Sequence, residues 1–96
     1  MAKYVVLVNF TDQGMRTVTE SVKRAKASVS TFDKYGCKKI AQYWTIGPHD
    51  ILIVLEAKND ETAMRVVLAV GRLGNVRTTT MRAFDAEEME GITSGL

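Results

Sequence analysis

Ile51-Leu52-Ile53-Val54-Leu55 is an unbroken apolar run in a chain of 96 residues, and its reading decides the fold. Gly47-Pro48-His49-Asp50 breaks the chain before it and the polar Asn59-Asp60-Glu61 follows. Its length is that of a strand, and a strand that is apolar at every position is shielded from water on both faces. The chain has room for only two sizeable helices, enough to cover one face of a sheet. A second copy of the same chain is the expected cover for the other, and a cavity between two paired sheets is the expected working site.

Working outward, residues 4–10 are rich in valine and aromatic side chains and end at Thr11-Asp12-Gln13-Gly14, which predicts a first strand followed by a helix capped by Thr11 or Asp12. Both residue sets of that strand are apolar, Tyr4, Val6, Val8 and Phe10 on one side and Val5 and Leu7 on the other. In the helix, Met15, Val18, Val22, Ala25, Val29 and Phe32 recur at intervals of three and four and are expected to face the core, with Gly36 as the stop. Residues 39–46 read as a second strand forming a hairpin with the apolar run. Asn59 offers an N-cap to a second helix with Ala63, Val66, Val67, Val70 and Leu73 inside, ended by Gly74 or Asn75. A threonine-rich strand over residues 76–84 follows, then an acidic tail over 86–96 with Glu87, Glu88 and Glu90. The order β-α-β-β-α-β predicts an α+β, ferredoxin-like domain with its core over about residues 3–85: a four-stranded antiparallel sheet, two helices on one face, and sheet-to-sheet pairing of two copies into an α+β barrel.

Two segments carry a resemblance to a known family. They are Gly47-Pro48-His49-Asp50 at the hairpin and Leu73-Gly74-Asn75-Val76-Arg77-Thr78-Thr79-Thr80-Met81-Arg82-Ala83-Phe84 entering the last strand. Together they resemble the GYD-domain family of small bacterial proteins, whose name comes from a Gly-x-Tyr-Asp signature; His49 stands where that family usually has tyrosine. The resemblance implies a ferredoxin-like fold related to the dimeric α+β barrels and brings no established activity with it.

Charge and composition exclude several function classes. A net charge of +2 is too small to steer the whole molecule to nucleic acid or an anionic membrane. An RNA-recognition module of this topology needs basic and aromatic residues on its third strand, and residues 50–57 supply neither. The longest apolar runs fall far short of the roughly 20 residues of a membrane helix. One histidine and one cysteine, His49 and Cys37, are too few for a zinc site, and no cofactor-binding motif is present. A single Cys37 and nothing like a signal peptide before Lys3 give the cytoplasm as the expected location.

Candidate chemistry rests on few residues. His49 titrates near neutrality and is followed by Asp50, a possible acid–base pair unless both serve the turn. Arg77 and Arg82 are five apart on one strand and so face opposite sides; one of them is placed to steady a carboxylate or oxyanion, unless it pairs with Glu56 or an acid of the partner chain. Tyr43 and Trp44 suit the wall of a pocket for a flat molecule, and Glu56 is a candidate buried acid on the bare face. The leading expectation is a homodimer or higher homo-oligomer holding a small apolar or aromatic molecule between sheets. The alternatives are a cofactor-independent oxygenase or isomerase with His49, Asp50 and Arg82 as its catalytic groups, and an interaction module without a ligand.

Overall fold

The computed structural model describes residues 1–96. Strand β1 (Ala2–Phe10) leads into a short helix α1 (Asp12–Arg16), a 3-10 turn (Val18–Glu20) and helix α2 (Ser21–Lys34). Strands β2 (Lys38–Trp44) and β3 (Ile51–Ala57) form the hairpin, followed by helix α3 (Asp60–Gly71), strand β4 (Val76–Ala83) and helix α4 (Ala86–Thr93). The four strands make one antiparallel sheet in the order β2-β3-β1-β4. No helix is long and apolar enough to cross a membrane.

Local signals explain the element ends. Thr11 caps α1 by accepting from Gly14 N, and Asn59 caps α3 by accepting from Thr62 N. Gly36, at φ 72°, ends the turn after α2 in a conformation that only glycine adopts without strain. The expected acidic tail is a helix over most of its length. Asp85 accepts from Glu88 N while the Glu88 carboxylate accepts from Asp85 N, a reciprocal capping box, and Lys3 bridges both acids at 3.1 and 3.4 Å.

Pairing across β1 and β3 sets the two faces of the sheet. Tyr4 lies opposite Leu55, Val6 opposite Ile53 and Val8 opposite Ile51, and these point toward the helices; Tyr4, Val6, Val8, Ile51 and Leu55 are buried with Ala63, Val66 and Val67 of α3. Val5 opposite Val54 and Leu7 opposite Leu52 point the other way, away from α2 and α3, and are only half-buried. Tyr43 and Ala41 of β2 and Met81 of β4 extend this apolar centre to both edges. The chain exposes 6480 Å², whereas a compact chain of its 10.6 kDa exposes about 5,500 Å².

The first helix differs from expectation in two ways. It breaks between α1 and α2, and its sheet-facing stripe is displaced by one residue, about 100° of rotation. Ser21 and Phe32 are buried and Ala25 and Ser28 half-buried, while Met15, Val18, Val22 and Val29 are 41–52% exposed. Only Phe32 and Ala25 of the predicted stripe face inward. The Trp44 indole reaches under the helix and donates to Ser21 Oγ at 2.9 Å, which favours a hydroxyl at that position over an aliphatic side chain. In α3 the inner residues are as expected except Leu73, which lies beyond the helix end and is 66% exposed.

Tyr4 ties the two layers together. Its hydroxyl, inside the core, donates to Asp60 Oδ1 at the start of α3. Burial first, and then this bond, push its pKa up to about 12. The folded pKa is thus above the ordinary value, so the stabilisation is complete below pH 10 and is lost as pH rises toward 12. Tyr4→Phe is expected to cost about 1–2 kcal/mol at pH 7. In urea unfolding series, the wild type should lose stability between pH 10 and 12 and converge on the variant.

Candidate functional site

Both segments that carry the family resemblance meet at the end of β1. Phe10 N donates to Asp50 Oδ2 at 2.9 Å, and Thr11 N donates to Asn75 O at 3.1 Å. Asp50 N returns a bond to Val8 O at 2.8 Å, and Asp50 O accepts from Thr45 N, closing the β2–β3 connection. Asn9 bridges to the same loop, with Nδ2 donating to Pro48 O and Oδ1 2.8 Å from His49 Nδ1. Backbone groups left free at the strand end are therefore satisfied by one carboxylate and one carbonyl rather than by a ligand.

The second segment clamps α1. Thr11 Oγ1 donates to Gly74 O, and Gln13 Nε2 donates to Leu73 O and Asn75 Oδ1. Gly74, at φ 91°, makes the turn that presents these carbonyls. Gly14 packs so closely that a Cβ there would lie 2.0 Å from Asn75 O. Position 14 thus requires glycine for space.

The structure separates the candidate residues. His49 and Asp50 are half-buried in the loop before β3, held by Asn9 and by Phe10 N. Arg82 pairs in register with Tyr4, five residues from Asn9 and so about 17 Å along the strand. Its guanidinium lies over the Tyr4 and Phe84 rings, donates to Lys3 O and Ala83 O, and reaches Glu88 at 3.6 Å. His49 and Arg82 cannot act on one small substrate within a protomer. Arg77 lies opposite Asn9 on the uncovered face, exposed and without an acidic partner within 4.0 Å. Glu56 occupies the same face at the other end, in register between Lys3 and Lys38, too far away to pair with Arg77. Tyr43 projects from that face at 62% exposure, while Trp44 turns toward α2. The uncovered face therefore has an apolar middle and two polar ends: Asn9 and Arg77 beside His49, and Lys3, Glu56 and Lys38.

Within the protomer a cavity lies on the helix-covered side of the sheet. This partly open cavity of about 240 Å³ lies between the sheet and helices α2 and α3, lined by Val8, Ile53, Val66 and Val70 among other apolar side chains. None of His49, Asp50, Arg82, Tyr43, Trp44, Arg77 or Glu56 lines it. Its polar lining comes from residues outside the candidate set, chiefly Arg24, Gln42 and Asn75. The small residues Ser21, Ala25 and Ser28, spaced four and three apart, were the available signal, masked by the more apolar stripe beside them.

Comparison with known proteins gives a consistent picture. The GYD domain profile matches residues 4–93. The glutamine synthetase and cystathionine beta-lyase binding protein of Thermus thermophilus is 30% identical over 90 residues, covering 93% of this chain and 95% of that protein. The crystal structure of TTHA0845, also from Thermus thermophilus, is 24% identical and superposes with a TM-score of 0.58 over 90% of this chain and 96% of that one. A de novo designed protein with a ferredoxin fold matches at a TM-score of 0.50 and 10% identity, covering 88% of this chain and 86% of its own. The architecture is thus α+β with ferredoxin-like neighbours.

Gly14→Ala is expected to destabilise the fold by about 2–3 kcal/mol, because a backbone carbonyl must move to admit the methyl group. Asp50→Ala, which strands Phe10 N, is expected to cost about 1–3 kcal/mol. Both are read from urea midpoints at pH 7 with unchanged denaturant slope.

Proposed function

The chain belongs to the GYD-domain family, and we propose that it is a homo-oligomeric binding module whose partners are other proteins. Two copies pair sheet to sheet, and the paired unit presents its helical sides to a metabolic enzyme. The observation that carries the pairing is the apolar centre of the uncovered face, formed by Val5, Leu7, Leu52, Val54, Tyr43 and Met81 in one contiguous register. The polar ends of the face suit an interface rim, where charges keep contact with water.

The partner class comes from the Thermus thermophilus relative, whose name records binding to glutamine synthetase and cystathionine beta-lyase. Similarity along nearly the whole of both chains supports carrying an enzyme-binding role to this one. A reduced, buried Cys37, its thiol pushed up by burial, suits the cytoplasm where such enzymes would be met. Acid–base catalysis is not part of the proposal, since Asp50 serves the strand end and Arg82 is remote from His49.

Leu52→Asp places a carboxylate in the middle of the proposed interface. It should leave far-ultraviolet circular dichroism unchanged and reduce the mass seen by light scattering to that of one chain. Surface-immobilised wild-type protein is expected to bind purified glutamine synthetase saturably, and Leu52→Asp at least tenfold more weakly. A wild type that binds neither glutamine synthetase nor cystathionine beta-lyase at micromolar concentration would remove the partner assignment, whatever its oligomeric state.

A further inference from the structure

The sheet-facing stripe of α2 is built from Ser21, Ala25 and Ser28, side chains too short to fill the space between helix and sheet. The result is a cavity of about 240 Å³ whose walls are Val8 and Ile53 from the sheet and Val66 and Val70 from α3. An apolar cavity of about 150 Å³ already stays dry and accepts benzene. In proportion, the space here holds about ten non-hydrogen atoms.

A single charged side chain, Arg24, lines the cavity. Its guanidinium donates to Thr17 O and Thr17 Oγ1 from one nitrogen and to Gly14 O from the other. These three bonds fix it at the junction of α1 and α2 and leave two of its five N–H donors without a protein acceptor. No acidic side chain lies within 4.0 Å of it, and none lines the cavity. The other cation nearby, Lys39, is committed: it donates to Ala25 O, Ser28 Oγ and Gln42 Oε1. The site thus combines an apolar, partly open pocket with one held cation at its edge that lacks an anion.

We propose that the helix–sheet cavity binds a small monocarboxylate with a compact apolar or aromatic body, the body seated among the valines and the carboxylate on Arg24. A guanidinium held by backbone carbonyls is pre-oriented for a carboxylate, and its charge selects an acid over a neutral molecule of the same shape. This site is independent of the proposed pairing of sheets, because it lies on the other side of the sheet. Occupancy would brace α2, α3 and the α1 clamp against one another, which gives the helical sides a means of responding to a metabolite.

Phenylacetate, with about ten non-hydrogen atoms, and its neutral counterpart phenylacetamide are the probes. Titrated into the unaltered full chain and followed by amide and methyl NMR, phenylacetate should saturate with shifts clustered at Val8, Ile53, Val66 and Val70, and bind at least tenfold more tightly than phenylacetamide. Ala25→Leu, which fills the chamber from α2, should abolish binding while preserving the fold; Val70→Leu fills it from α3 if the first variant does not fold. Arg24→Met should remove the preference for the acid and leave phenylacetamide affinity within twofold. Equal affinity for the two probes, shifts confined to the uncovered sheet face, or undiminished binding by a folded Ala25→Leu or Val70→Leu protein would each overturn the proposal. Absence of any saturable shift at millimolar phenylacetate would overturn it as well.

Discussion

The two central strands, β1 and β3, are apolar on both faces, and the rest of the molecule answers that constraint. One face is satisfied within the chain: Tyr4, Val6, Val8, Ile51 and Leu55 are buried beneath α2 and α3. The other face has Val5, Leu7, Leu52 and Val54 at its centre, only half-buried, and the C-terminal helix, α4, is tied to its Lys3 end. Charges are confined to the ends of that face, where Lys3, Glu56 and Lys38 lie at one extremity and Arg77 at the other. Such a distribution keeps the register fixed, since a one-residue slip of β3 would exchange Ile51, Ile53 and Leu55 for Leu52, Val54 and Glu56 and bring a carboxylate under the helices.

Holding these strands in place requires that β1 end cleanly, and the two family segments act there. Asp50 and Asn75, far apart in sequence, accept from consecutive backbone N–H groups of Phe10 and Thr11. Gly14 lets α1 lie against Asn75, and Arg24 ties α2 back to Gly14. One polar junction thereby links β1, the β2–β3 loop, the entry to β4 and the first helical layer. The His49 imidazole joins it through Asn9. His49 and Asp50, adjacent in sequence, thus each bond to the end of β1 rather than to one another.

Much of this was legible in the sequence because it depends on period and local chemistry. Strand β3, the alternation of β1, the caps Thr11 and Asn59, and the inner face of α3 follow from hydrophobic spacing and short-range hydrogen bonding. The orientation of α2 was not legible. Its apolar stripe outscores the Ser21-Ala25-Ser28 stripe on hydrophobicity, yet the smaller one faces the sheet, with Ser21 bonded to the Trp44 indole and Val22 and Val29 left exposed. The cavity between helix and sheet depends on that orientation and so was not foreseen either. Helix α4 was hidden because Glu87, Glu88 and Glu90 suggest a solvated tail, while its start is fixed by the capping box and the tertiary bridge from Lys3. Separation of Arg82 from His49 follows from register, which residue types alone do not give.

Sedimentation equilibrium of the unaltered chain across low micromolar concentrations tests the central claim most directly. A mass of twice the 10.6 kDa of one chain, or a higher even multiple, is the predicted result. A single species of 10.6 kDa at every concentration would contradict it, because the apolar centre of the sheet would then face water in the native protein.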